Sequence, residues 1–166
     1  MTPKAFLDRA IAYWSFGWLS SDKLPEVAVE ILELGVVSPS IIQLASADRV
    51  ADPNLHRLFE DVLADLGRLR MTKPEAGRFI AQEYAEDICK GTITPVEGAR
   101  TIWRVSLECE ELGRELGIFG GRVTEYEGLP SGHDRISDMI VYEAKDLIEK
   151  SKGEKSKGTQ LFSKKL

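Results

Sequence analysis

The sequence predicts an all-α protein, a single-domain bundle of about six to seven helices, on three observations. First, Ser, Thr or Asp stands at or just before a Pro at Thr2-Pro3, Ser38-Pro39, Asp52-Pro53, Thr72-Lys73-Pro74 and Thr94-Pro95, and more loosely at Ser21-Asp22 ahead of Pro25. The side-chain oxygen caps the free N–H groups of a first helical turn and Pro brings a φ that is already helical, so the pairing marks helix starts. Second, Gly35, Gly67, Gly91 and Gly117 each follow an apolar-periodic stretch, where a left-handed residue closes a helix. Third, apolar residues recur at spacings of three and four, and only the few residues from Arg122 to Tyr126 alternate as a strand would.

Taken in chain order, these signals place helices at roughly 3–17, 23–34, 39–47, 53–66, 73–90, 95–116 and 134–150. The first carries Tyr13, Trp14, Phe16 and Trp18 on more than one face, and the reading favours a core wedge over an exposed patch. The fourth has the cleanest stripe: Leu55, Leu58, Phe59, Val62, Leu63 and Leu66, with Arg57, Glu60, Asp61 and Asp65 between them. The fifth repeats it with Ala76, Phe79, Ile80, Tyr84 and Ile88, and the seventh with Ile136, Met139, Ile140, Ala144 and Leu147. Trp103 on the sixth reads as core.

The same linker form occurs twice, at Gly35-Val36-Val37-Ser38-Pro39 and Gly91-Thr92-Ile93-Thr94-Pro95. Gly stops one helix, the β-branched residue is placed to staple onto the next, the hydroxyl caps and Pro fills the first turn. Glu97, three residues after Thr94, completes a capping box. Two antiparallel helix pairs follow from this punctuation. From Gly117 to Asp134, five glycines and a Pro in 18 positions predict an exposed loop, the place where a loop-borne function would sit.

The chain has 166 residues, enough to bury roughly 68–70% of its unfolded surface as one domain. The reading assigns 1–150 to the all-helical domain and 151–166 to a flexible basic tail with Leu161-Phe162 as a possible apolar anchor. That tail holds five Lys against one Glu, net +4, which leaves −9 on the rest of a chain whose formal charge is −5. An acidic body repels nucleic acid and steers basic partners toward itself. Cys89 and Cys109 read as small buried hydrophobes, because two Cys and two His assemble neither a disulfide framework nor a zinc site. No apolar run approaches a membrane span and no leader precedes Pro3, so the expectation is a cytoplasmic protein without membrane contact.

The residues that could carry chemistry are few. His133-Asp134 is similar to the metal dyad of HD phosphohydrolases, a family that needs further ligands; here His56, on the polar side of the fourth helix, is the sole other His. The alternative reading takes Asp134 as a helix cap and His133 as an exposed loop residue. Glu83, Glu86 and Asp87, with Glu108, Glu111 and Glu115, match the spacing by which all-α nucleotide pyrophosphatases hold Mg²⁺ on facing helices, while the same residues lie opposite the apolar stripes as a solvated face would. No nucleophile elbow, phosphate loop or Cys–His pair is present, so neither catalysis, cofactor nor metal is assigned.

The stretches AVEILELGVVSPSIIQLAS and YAEDICKGTITPVEGARTIW resemble segments of a family of small bacterial all-helical proteins, some of them similar to immunity proteins of polymorphic toxin systems. The resemblance implies a non-enzymatic protein that binds and silences a cognate, basic toxin domain, with no shared active-site motif to carry over. The basic tail departs from that picture. The partner-binding face then falls on Glu83, Glu86, Asp87, Glu108, Glu110 and Glu111. Two alternatives stand beside it: a Mg-dependent all-α nucleotide hydrolase on the same carboxylates, and a homo-oligomeric structural module with the helix-one aromatics as its seam.

Overall fold

The computed structural model describes residues 2–49 and 52–162; the side chains of Pro130 and of 154–162 lie outside that description. The chain is an all-α bundle of eight α-helices with no strand among the described residues. None of these helices is long and apolar enough to cross a membrane. The helices gather into two compact units, Met1–Ala76 and Gly77–Leu166.

The first unit holds α1 (Pro3–Phe16), α2 (Leu24–Glu33), α3 (Pro39–Ala45) and α4 (Leu55–Asp65), with a 3₁₀ turn at Ser21–Lys23. Thr2 and Ser38 cap α1 and α3 as the sequence predicts, their hydroxyls accepting from the N–H groups of Ala5 and Ile41. At α4 the expectation shifts by two residues: Asp52 accepts from the Asn54 N–H in a local turn, and the helix starts only at Leu55. Its predicted stripe is the core, with Phe59 and Val62 fully buried against Trp14, Ile31, Ile41 and Leu44. Asp65 closes α4 and accepts from the Ser40 N–H at the start of α3, which ties the two helices end to end.

After α4, Gly67 takes a left-handed φ of 61° and the Arg68 N–H returns to the Leu63 carbonyl at 2.8 Å. Residues 68–72 then run as an extended strap along α1. Arg68 pairs with Asp8, Arg70 sits 4.6 Å above the Trp14 ring, the Met71 N–H donates to Ser15 Oγ at 3.3 Å, and Lys73 lies 5.4 Å over Phe16. The aromatics of α1 are thereby covered: Trp14 and Phe16 are buried, while Tyr13 and Trp18 are half-buried and edge-packed on one another.

The second unit is built from α5 (Lys73–Lys90) from Gly77 onward, α6 (Pro95–Glu108), α7 (Gly113–Gly128) and α8 (His133–Phe162), with 3₁₀ turns at Glu110–Leu112 and Pro130–Gly132. The capping box at Thr94 and Glu97 forms as predicted, and a second one forms at Thr72 and Glu75. The linker echo holds in its glycines, since Gly35 and Gly91 both adopt left-handed backbone, but its staple holds only in part. Ile93 packs toward Gly98, the staple position of α6, whereas Val37 is 68% exposed.

Two expectations are overturned. The predicted 95–116 helix breaks after Glu108 at the 3₁₀ turn, and the predicted Gly-rich loop is α7, so Gly117 sits inside a helix and the alternation near Arg122 is helical. The reason is packing. Leu112, Leu116, Phe119 and Val123 form an i, i+4, i+7, i+11 stripe, all buried, and Gly120 brings α7 so close to α6 that the Trp103 indole lies on it. Trp103 is half-buried against that glycine rather than wholly in the core. Cys109 is buried as expected, but Cys89 is exposed because Ile88 beside it takes the inward place on α5. The segment from Ser151, expected to stand apart, continues α8 to Phe162; the side chains of Leu161 and Phe162 and residues 163–166 lie outside the described residues.

Candidate functional site

The six acidic residues predicted as one face separate into two groups. A short turn, 91–94, joins α5 to α6, and Ile88 packs on Gly98 across it. Glu86 and Asp87 lie within a turn of that junction, while Glu108 ends α6, whose 14 residues span about 21 Å. Glu110 and Glu111 follow on the 3₁₀ turn at the far end.

The two groups differ in their surroundings. On α5, Glu83, Glu86 and Asp87 are half-buried, and Glu86 accepts from Gln82 at 3.4 Å and from Lys90 at 3.3 Å. At the far end Glu108 pairs with Arg104 at 2.8 Å. Glu110 and Glu111 are exposed and have no cation within ion-pair reach among the described residues. Beside them Leu107 is 68% exposed, with its backbone held by the buried neighbours Ser106 and Cys109. The result is an exposed apolar side chain near the end of α6 with three exposed carboxylates within the next four residues of the chain.

A shallow groove of about 220 Å³ opens between α7 and α8 over Ile118, Phe119 and Leu147. Its carboxylates are matched by cations: Glu115 by Arg78 at 3.2 Å, Glu143 by Arg122 at 3.1 Å and Asp146 by Lys150 at 2.5 Å. The Asp146 contact also pushes the Lys150 ammonium pKa up. Among the described residues no three His, Cys, Asp or Glu side chains come together as a metal ion would need.

His133 and Asp134 do not form a metal dyad in this arrangement, nor is His133 an exposed loop residue. His133 opens α8, half-buried, with its ring stacked on Tyr126 at 3.8 Å and its Nε2 donating to the Tyr126 carbonyl at 2.9 Å. Asp134 lies in the first turn of α8, where a negative charge suits the helix dipole, rather than at the cap itself.

One constellation was invisible in the sequence. Ser21 Oγ lies 2.8 Å from His56 Nε2, a distance typical of a nucleophile and its base. The third partner decides against that chemistry. In a catalytic triad the ring nitrogen away from Ser donates to a carboxylate, which leaves the nitrogen facing Ser free to take its proton. Here the Trp14 indole N–H donates to His56 Nδ1 at 3.0 Å. Trp can only donate, so Nδ1 must accept, the ring proton resides on Nε2, and Ser21 receives a hydrogen bond instead of losing a proton. The arrangement ties α4 to α1 and to the Ser21–Lys23 turn and does not activate the hydroxyl. No signal short of the fold brings residues 14, 21 and 56 together.

No family profile, no characterised protein and no solved structure matches the chain.

Proposed function

We propose that this chain is a non-enzymatic protein-binding protein, an immunity-type inhibitor that takes a basic toxin domain on the corner between α6 and α7. The observation that carries the reading is the exposed Leu107 followed in the chain by the exposed Glu108, Glu110 and Glu111, the latter two without a matching cation among the described residues. An exposed apolar anchor with two unmatched carboxylates close to it in the chain fits a partner presenting an apolar pocket rimmed with Lys or Arg, and the carboxylates would speed the encounter. The α5 group at Glu83, Glu86 and Asp87 contributes long-range field from the opposite end of the α5–α6 hairpin.

The test compares affinity capture by the wild-type chain, a Glu110→Lys/Glu111→Lys variant and a Glu86→Lys variant from extract of its native cells. Capture is run at low and moderate salt, with mass spectrometry of what stays bound. A stoichiometric basic protein that is lost as salt rises, lost with Glu110→Lys/Glu111→Lys and kept with Glu86→Lys supports the corner. A partner that both variants retain removes the corner as the site, and a partner lost only with Glu86→Lys returns the site to α5.

A further inference from the structure

We infer that this chain binds a second copy of itself, the exposed Leu69 of one copy entering the groove between α7 and α8 of another. Leu69 is 87% exposed, more than any other large apolar side chain among the described residues. It stands in the strap between Arg68 and Arg70, while Met71 after it packs onto the core. A single exposed Leu is ordinary; charge and shape give this one a partner. Arg68 is taken by Asp8. The Arg70 guanidinium and the Lys73 ammonium lie over the Trp14 and Phe16 rings, and neither meets a carboxylate among the described residues. The strap therefore offers an apolar side chain with two exposed cations within four residues of it in the chain.

The groove complements the strap in both respects. Its floor of Ile118, Phe119 and Leu147 is apolar, and Ile118 is 44% exposed. An apolar cavity of about 150 Å³ accepts benzene, so about 220 Å³ admits the isobutyl group of a Leu. Among its lining residues Glu115, Glu143 and Asp146 stand against one cation, Lys150. The ion pairs from Arg78, Arg122 and Lys150 each engage a single oxygen of their carboxylate. Asp146 foremost, then Glu143 and Glu115, push the Lys150 pKa up, so that ammonium lies in the field of all three carboxylates. Their second oxygens are the acceptors for Arg70 and Lys73 of the incoming strap. The strap belongs to residues 1–76 and the groove to 77–166, and the groove shares no residue with the proposed partner site at Leu107. Because strap and groove differ, a copy that lacks one still offers the other.

One side chain and its rim bury less than about 1,200 Å², the range of weak, transient contacts. The dilute chain is then monomeric, and substitution of Leu69 leaves its unfolding unchanged. Sedimentation velocity of the wild-type chain, over a series reaching about 1 mM, should show a mass that rises with concentration and rises less at high salt. Leu69→Asp and Ile118→Lys, both at exposed positions, should each weaken the association by roughly tenfold or more. Mixed in equal amounts they should recover a dimer, because Ile118→Lys keeps the strap and Leu69→Asp keeps the groove. A wild-type chain that stays monomeric throughout overturns the inference, and so does an association that survives Leu69→Asp. Two monomeric variants with wild-type circular dichroism whose mixture stays monomeric also overturn it.

Discussion

The Trp103 indole of α6 lies on Gly120 of α7 so closely that a Cβ at position 120 would meet its Nε1 at 2.4 Å. Glycine thus acts there as a packing residue inside a helix, where its propensity alone would count against the helix. Gly120→Ala should destabilise the protein by about 1–3 kcal/mol through overpacking. Its neighbour Gly121 meets nothing within 4 Å, and Gly121→Ala should stabilise by roughly 0.5–1 kcal/mol through helix propensity. Urea midpoints of the two variants, moving in opposite directions, would establish α7; equal and positive shifts would indicate that this segment is not helical.

The capping boxes at Thr72 and Thr94 each satisfy two N–H groups at a helix start. Thr94→Ala and Thr72→Ala should each lose about 1 kcal/mol in chemical denaturation, and Thr→Ser at either position should lose less.

Three carboxyls are held below their ordinary pKa by hydrogen bonds: Asp22 chiefly by Ser20, Asp65 by Ser40 and Ser38, and Glu97 by Thr94. A depressed carboxyl adds stability that is present above the ordinary carboxylate range and disappears as pH falls through the folded-state value. The melting temperature should therefore drop between about pH 4.5 and 2.5, and Asp65→Asn should flatten that limb while lowering stability at neutral pH. An acid limb identical in Asp65→Asn and wild type would show that this carboxylate does not cap α3.

Leu69 is 87% exposed on the strap, whereas Phe59 is fully buried on α4. Phe59→Ala should cost about 3–5 kcal/mol and broaden the unfolding transition, and Leu69→Ala should stay within roughly 0.5 kcal/mol of wild type. A large loss from Leu69→Ala would mean that this side chain is covered in solution.

Much of the helix pattern was legible because caps and stops act within a few residues. Thr2, Ser38 and Thr94 place their oxygens on N–H groups three positions later, and Gly35, Gly67 and Gly91 turn left-handed where the apolar periodicity ends. The glycines of α7 predict a loop from local propensity, although the Leu112, Leu116, Phe119, Val123 stripe carries the opposing helical signal. The acidic face was half legible. Its residue types are right for a charged surface, but counting charges along the chain does not reveal that α6 holds Glu86 and Glu108 far apart.

Local chemistry alone settled the helical class, most helix starts and the acidic balance of residues 1–150, since each depends on neighbours a turn or two away. Tertiary contact decided the rest. Whether Gly120 is a loop residue or a seat for Trp103 depends on a side chain 17 positions earlier, and which nitrogen of His56 keeps its proton depends on an indole 42 positions earlier. Those outcomes follow from excluded volume and from donor–acceptor matching between distant segments, and neither is defined until the chain has folded.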